Sequence, residues 1–193
     1  IVGSVIFILE WNGLKFVFSS DTYPNKWFVE YAKDADLVIH ECFIAVPDLV
    51  SKMLFTPESA LQVGNQVHTA PEAFGKVMSR IKPRMAVAYH FFNDFDTSSS
   101  IYERVRTTYD GPQSHAVDYM VWNITNEDIR VRMTDFDEDL WPPPATEKPQ
   151  LPDANLRIPY SDEIAGGKID VKDAIQPVYD EINKKYGINE KQD

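Results

Sequence analysis

The sequence has little of several features that would narrow its class. It contains a single cysteine, Cys42, which excludes an intramolecular disulfide and leaves the redox compartment open; its apolar neighbours indicate a packing role. No apolar run reaches the roughly 18 residues that span a bilayer, and no basic stretch followed by an apolar one marks a signal peptide. We therefore expect no membrane partner, while cytoplasmic, periplasmic and secreted locations all stay open.

Positive charge is also scarce. Nineteen Lys and Arg residues face thirty Asp and Glu residues, for a formal net charge of −11. Nucleic-acid binding without sequence preference needs a basic stripe, so this balance argues against a nucleic-acid partner. Much of the acid lies at 135–139 and in the C-terminal tail, which we interpret as a solvated surface.

The chain is rich enough in apolar residues, at 44% hydrophobic and 12% aromatic, to build a substantial core. It begins without Met in what reads as a strand entered in mid-fold, so we expect it to be the C-terminal part of a longer polypeptide. We expect a domain over 1–141, an extended proline-rich arm over 142–169 and a helical tail over 170–193. No internal repeat is evident.

Strands and helices alternate along the predicted domain, which indicates an α/β fold. We predict strands over 4–10, 15–18, 37–39, 85–88, 116–124 and 129–133, with a hairpin turn at Asn12-Gly13. Helices are predicted from Tyr23-Pro24-Asn25 over about 10 residues, then over 47–54, 57–65, 69–81, 101–109 and 170–186. Thr69 with Glu72 has the spacing of a capping box, and Pro177 predicts a kink or break near Gln176.

Acidic and imidazole side chains follow three of the predicted strands. Asp21 follows the second strand, His40 and Glu41 end the third, and His90 follows the fourth. Open α/β sheets place their ligands at the carboxyl ends of strands, so we expect an active site at this edge. A binuclear zinc site needs a bridging carboxylate and terminal imidazoles, which suits Asp21 and His90; a turn or helix cap is the alternative for Asp21.

Four segments in a fixed order carry a resemblance to a known family. They are Phe-Val-Phe-Ser-Ser-Asp-Thr-Tyr-Pro, Ala-Asp-Leu-Val-Ile-His-Glu-Cys-Phe, His-Thr-Ala-Pro-Glu-Ala and Val-Ala-Tyr-His-Phe. This order resembles the C-terminal half of the metallo-β-lactamase superfamily, in the branch of ribonuclease Z, zinc arylsulfatases and phosphodiesterases. The resemblance covers roughly residues 4–135 and implies half of an αββα sandwich.

The resemblance implies roles for four residues. Asp21 would bridge two zinc ions, with Ser20 in place of the family's glycine, and His90 would bind the second zinc. His68 would be the general acid or transition-state histidine, and Glu41 its orienting partner. A carboxylate beside an imidazole fixes its tautomer and favours its protonated form, which suits a proton donor. A helix-start cap is the alternative for His68.

The remaining candidates surround these four. We expect His40 to be structural and His115 to lie in a surface loop, with a substrate contact as its alternative. The aromatic residues Phe43, Phe91 and Phe92 suit an apolar substrate pocket, or simply the core.

One departure from the family pattern is large. The His-x-His-x-Asp-His motif, which supplies most zinc ligands in the family, is absent from these 193 residues, and Asp21 with His90 is too small a ligand set to hold zinc tightly. We therefore expect the N-terminal half of the fold as a separate chain or a removed segment, and inactivity without it. A homodimer through the proline-rich arm and the C-terminal helix is a further expected assembly.

The function we predict is a zinc-dependent hydrolase in which a hydroxide bridging two zinc ions attacks a small sulfate or phosphate ester. Other divalent metals remain alternatives to zinc. The alternatives for the reaction are a tRNA 3′-processing endonuclease, a β-lactamase or lactonase, and a non-catalytic scaffold that kept the fold and lost the metal.

Overall fold

The computed structural model describes residues 4–134 and 161–191. These residues form one five-stranded sheet in the order β1-β2-β3-β4-β5 and a separate two-stranded sheet, β6-β7. The strands are β1 Phe7–Trp11, β2 Leu14–Phe18, β3 Leu37–Glu41, β4 Met85–Tyr89, β5 Gln113–His115, β6 Met120–Ile124 and β7 Ile129–Met133. β1 pairs antiparallel with β2, whereas the pairs from β2 to β5 are parallel. The predicted α/β class is confirmed.

Seven α-helices lie in the described part of the chain, and one π-helical turn joins α3 to the segment before α4. The helices are α1 Lys26–Tyr31, α2 Val46–Ser51, α3 Pro57–Gln62, α4 Pro71–Ile81, α5 Phe95–Val105, α6 Asp162–Gly166 and α7 Lys172–Tyr186; the π-turn is Val63–Val67. None of these helices is both long enough and apolar enough to cross a bilayer.

The β1-β2 hairpin turns at Asn12 and Gly13, as predicted. Both residues have left-handed backbones, with φ of 52° and 77°, which is the geometry of a two-residue turn matched to the twist of the strands. The turn sets the register in which Trp11 faces Leu14 and Phe7 faces Phe18.

One face of the five-stranded sheet carries the core. Val17 pairs with Val38 and Val38 pairs with Ala86, so the three side chains share a face. All are buried and belong to one cluster with Phe28 of α1 and Phe74 of α4. Side chains alternate between the two faces of a strand, so this face is apolar when every second residue is Val or Ala. The helices α1 and α4 pack on this apolar face.

The opposite face of the sheet is apolar as well, and at β1 it is open. Phe7, Leu9 and Trp11 alternate along β1 and are 60%, 60% and 66% exposed. Their partners on β2, Phe18, Phe16 and Leu14, point to the same side. Large side chains rarely form such a contiguous exposed row on a solvated surface.

The segment between β4 and β6 differs from the prediction in two places. Residues 113–115 form β5, paired parallel with β4. The predicted strand over 116–124 is present only from Met120, and its predicted hairpin with 129–133 is confirmed. The helix predicted over 101–109 begins at Phe95, because the Asp94 side chain accepts a hydrogen bond of 2.7 Å from the Thr97 N–H and caps it.

The C-terminal helix belongs to the same core as the sheet. The apolar stripe of α7 is buried against α3 and α4 and comprises Ala174, Ile175, Val178, Tyr179 and Ile182. The helix continues through Pro177 without the predicted break, because buried side chains hold it on both sides of the proline. The stripe is thus buried against helices of the same chain. The homodimer through this helix stays a prediction. Residues 142–160 of the predicted arm lie outside the described residues.

Candidate functional site

The two residues predicted as metal ligands meet at the carboxyl edge of the sheet. Asp21 follows β2, His90 follows β4, and His90 Nε2 lies 3.4 Å from Asp21 Oδ2. Their side chains are 39% and 35% exposed, so solvent and solutes reach both. The convergence that the metal hypothesis requires is present, and the ligand roles themselves stay predictions.

Both turns that deliver these side chains use left-handed backbone. Ser20, where the family pattern has glycine, has a φ of 55°, and His90 has a φ of 74°. The left-handed region disfavours residues with a Cβ, so Ser20 is held by a 2.9 Å hydrogen bond from its hydroxyl to the Val5 carbonyl.

Glu41 and His68 form the second pair of the site. Glu41 ends β3 with no exposed side-chain surface, and its Oε1 accepts a hydrogen bond from His68 Nδ1. A carboxylate only accepts at this contact, so His68 carries its proton on Nδ1 and leaves Nε2 for a substrate or a proton. This geometry fits the predicted pairing of a proton-transfer histidine with an orienting carboxylate.

The backbone of two threonines completes the coordination of Glu41. The Thr22 N–H donates to Oε2, and the Thr69 N–H donates to Oε1 at 3.4 Å. The Thr69 hydroxyl donates to the Thr22 carbonyl at 2.5 Å, which joins the loop after β2 to the start of α4. The predicted capping box is therefore wrong: Ala70 is the N-cap of α4 without a side-chain cap bond, and Glu72 pairs with Arg104 at 2.9 Å.

The two pairs are adjacent. The rings of His68 and His90 have centroids 5.2 Å apart, and one ligand-capable atom from each of Glu41, His68 and His90 falls within 4.8 Å of the other two. In this triad Glu41 already accepts hydrogen bonds from His68 Nδ1 and the Thr22 N–H, so an ion bound there would compete with these contacts. Two sets of side chains at this edge are therefore candidate metal ligands, namely this triad and the Asp21-His90 pair.

The donor set of Asp21 and His90 fits a zinc ion. One imidazole nitrogen and one carboxylate oxygen face each other at an accessible edge, and both are ligand types that zinc uses in hydrolytic sites. Two protein ligands fall short of the three that such sites hold, so this pair by itself would supply only part of a zinc site.

Tyr89 is a site residue that the sequence analysis missed. Its hydroxyl lies 3.4 Å from Asp21 Oδ1, so the two oxygens of Asp21 have separate partners, Tyr89 and His90. Burial, and then the charges of Asp21 and Glu41, raise the pKa of Tyr89, which keeps it a hydrogen-bond donor. Side chains alternate between the two faces of a strand, and this alternation is the sequence feature that could have identified Tyr89. Tyr89 pairs with Glu41, so the two side chains lie on the same face of the sheet.

His40 is structural, as predicted. It is fully buried, its ring packs edge-on against Phe28 at 4.6 Å, and its Nδ1 donates to the Glu41 carbonyl at 2.6 Å. Burial lowers the pKa of His40 to about 4. Cys42 beside it is buried and free, and burial raises its pKa, which fits packing and not reactivity.

Acid should destabilise the fold through His40. Its pKa rises from about 4 in the folded protein to the ordinary 6.5 on unfolding, so the unfolded chain binds more protons between pH 6.5 and pH 4. Stability is therefore complete above pH 6.5 and falls as pH drops to 4, by an amount on the order of 3 kcal/mol. Urea unfolding at a series of pH values measures the slope, which should become shallower in His40→Leu; an unchanged slope would contradict the assignment.

A cavity of about 410 Å³ opens beside His90. Phe43, Phe91 and Phe92, the predicted pocket aromatics, line it together with Tyr89 and His90. Phe43 also stacks on the His68 ring at 4.3 Å, so the cavity adjoins both pairs of the site. The predicted residues are in place, and substrate binding by them stays a prediction.

His115 does not line this cavity, which corrects its placement among the pocket residues and in a surface loop. It lies on β5, half-buried, with its ring against Phe91 at 5.5 Å and Tyr102 at 6.0 Å. Burial, with the charge of Arg106 as a second cause, lowers the pKa of His115 to about 4. The residues after it, Ala116–Asp118, reach the cavity instead.

Comparisons with known proteins give structural neighbours and no sequence family. No protein-family model matches the chain, and no curated protein matches it. The metallo-β-lactamase fold protein YhfI from Bacillus subtilis is a similar solved structure, with 14% identity, a TM-score of 0.41, and coverage of 60% of this chain and 48% of that one.

A long form of RNase Z from yeast is a second similar structure. The identity is 28% and the TM-score 0.32, over 48% of this chain and 12% of the yeast chain. The chain thus spans about half the length of the first neighbour and about an eighth of the second.

Proposed function

We propose that this chain is the C-terminal half of a zinc-dependent hydrolase that cleaves a small sulfate or phosphate ester. The observation that carries the proposal is the meeting of the Asp21-His90 pair with the Glu41-His68 pair at one sheet edge, beside an aromatic cavity. Such a site holds a ligand set for a cation and a proton donor within one substrate's reach.

Asp21 and His90 would hold the metal. Zinc supplies Lewis acidity, which acidifies a bound water and polarises the ester oxygen. Neighbouring groups of the protein orient these two proposed ligands. The Tyr89 hydroxyl donates to Asp21 Oδ1, and the left-handed backbone of His90 after β4 places its ring beside Asp21 Oδ2. Partners of this kind orient ligands and tune their basicity.

His68 would transfer the proton that the leaving group needs. Glu41 accepts the hydrogen bond from Nδ1 of His68, so Nε2 is the atom that would donate the proton. Phe43 stacks on the ring and fixes its plane. A proton donor matters most for esters of poor leaving groups, whose alkoxide or phenoxide is otherwise expelled slowly.

We propose that the remaining ligands come from a companion polypeptide, either a preceding segment of a longer chain or a separate one. The open apolar row of Phe7, Leu9 and Trp11 lies on the same face of the sheet as Glu41 and Tyr89, since residues alternate along each strand. A second sheet packed on that row would border the metal ligands directly.

The test compares this 193-residue chain with the longest polypeptide encoded by its reading frame, purified together with any companion chain that binds it. We expect the longer polypeptide to hold about two zinc ions and to hydrolyse aryl sulfate or phosphodiester reporters, and the short chain to bind zinc weakly without turnover. Metal analysis and reporter assays before and after chelation measure both. A zinc-free longer polypeptide, or turnover that survives chelation, would contradict the proposal.

A further inference from the structure

The residues that line the cavity beside His90 favour a positively charged ligand over a negatively charged one. Four aromatic side chains line it: Phe43, Tyr89, Phe91 and Phe92. Besides His90, the single ionisable acid or base among its lining residues is Asp118, an exposed carboxylate at the cavity's edge. No Lys or Arg of the described residues lines it.

The charge of the rest of the chain also favours a cation over an anion in this cavity. The chain carries a formal net charge of −11, so its long-range field repels anions and attracts cations. Arg106 follows the last residue of α5 and is engaged elsewhere. Its guanidinium lies over the Tyr102 ring at 5.1 Å and donates to the Gly111 carbonyl at 2.7 Å. An anionic group in this cavity would meet the Asp118 carboxylate, and no Lys or Arg of the described residues in the wall would offset it.

We propose that the cavity binds an organic cation, an ammonium or quaternary ammonium group carried on the ester that the site cleaves. Aromatic rings attract such cations through the negative charge on their faces, and a carboxylate at the edge adds an ionic contact. The proposal rests on the proposed function for the position of the ester: His90 belongs both to the metal pair and to the cavity wall, so the cationic end lies next to the scissile bond.

This assignment narrows the substrate class. The ester end of the substrate is anionic and faces the metal edge, while the other end is positive and enclosed by aromatic rings, so the substrate is zwitterionic. The volume of about 410 Å³ accommodates a phenyl or trimethylammonium group with several carbons of linker. A polynucleotide, which carries a phosphate on each side of the scissile bond, would place negative charge against Asp118.

The test is a binding titration of the 193-residue chain with three probes of similar size. Benzyltrimethylammonium is the cation, benzyl alcohol the neutral comparator and phenylacetate the anion, each followed by NMR shifts of the protein at low ionic strength. We expect the cation to bind about three- to fivefold more tightly than benzyl alcohol, in the range of an exposed cation–aromatic contact, and phenylacetate to bind most weakly. Added salt should narrow the difference.

Two variants localise the effect. Asp118→Asn should reduce the affinity for the cation about twofold, the size of an exposed ionic contact, and leave the affinity for benzyl alcohol unchanged. Phe92→Leu should reduce the affinity for the cation more than the affinity for the alcohol. Asp110→Asn removes the same charge from an exposed position outside the cavity wall and should change neither. The proposal is overturned if no probe binds, if alcohol and cation bind equally, or if Asp110→Asn matches Asp118→Asn.

These titrations need neither zinc nor turnover. A failure of the hydrolase proposal would show as absent metal or activity and would leave the preference for the cation intact. A failure of the cation proposal would show as equal binding of the three probes and would leave the zinc and reporter results standing.

Discussion

Asp21→Ala should abolish ester hydrolysis in the zinc-loaded polypeptide, with kcat/KM falling by about a thousandfold or more. Metal-derived charge stabilisation contributes several kcal/mol to such a reaction, and each 1.4 kcal/mol corresponds to a factor of about ten in rate. The zinc content should fall as well, because Asp21 is one of the two proposed ligands, and its Oδ2 lies 3.4 Å from Nε2 of the other, His90. Metal analysis and steady-state kinetics measure the two effects.

The substitution should leave the fold intact. Asp21 is 39% exposed and is contacted by the Tyr89 hydroxyl and His90 at 3.4 Å each, so its removal breaks no buried bond. Thermal unfolding of Asp21→Ala therefore tests whether the substitution changes stability. Asp110→Ala removes the same charge at another exposed position and tests whether loss of charge alone lowers activity. Full turnover in Asp21→Ala would show that the metal is held elsewhere, at Glu41, His68 and His90 in the first instance.

The parts of this site that were predictable from sequence are those that follow from strand ends. Two apolar runs in parallel deliver their next residues to one edge, so Asp21 and His90 were expected to meet, and they do. Glu41 and His68 are 27 positions apart, and their pairing came from the family resemblance, because no local pattern places a residue after a π-turn against a strand end.

The parts that were missed depend on contacts with distant residues. β5 is three residues long and polar, without the alternation that marks a strand, and it forms because β4 offers a free edge. Thr69 matched a capping box by spacing, but its hydroxyl bonds to the Thr22 carbonyl, 47 positions away, and this tertiary contact replaces the local one. His115 was misplaced for the same reason, since its burial comes from β4 and from the Phe91 and Tyr102 rings.

Glu41→Gln should reduce kcat by about a hundredfold to ten-thousandfold with little change in KM, the range seen when a carboxylate that fixes a catalytic histidine becomes an amide. The amide keeps the volume but carries two N–H donors. It cannot accept from both the Thr22 N–H and His68 Nδ1, so His68 either loses its partner or changes tautomer. Zinc content should be unchanged, which separates this loss from the loss in Asp21→Ala.

His68→Ala distinguishes proton donation from a structural role of the same pair. If His68 protonates the leaving group, the defect should be small for esters of acidic phenols such as 4-nitrophenol and should grow with the pKa of the leaving group. A histidine that only holds the loop before α4 would slow all esters by the same factor, and a histidine that binds metal would lower the zinc content instead. Kinetics across a series of substituted aryl esters, with metal analysis of each preparation, decide among the three. We expect a steeper dependence on leaving-group pKa in the variant and full zinc occupancy, because His68 Nδ1 is committed to Glu41 and only Nε2 faces the reaction.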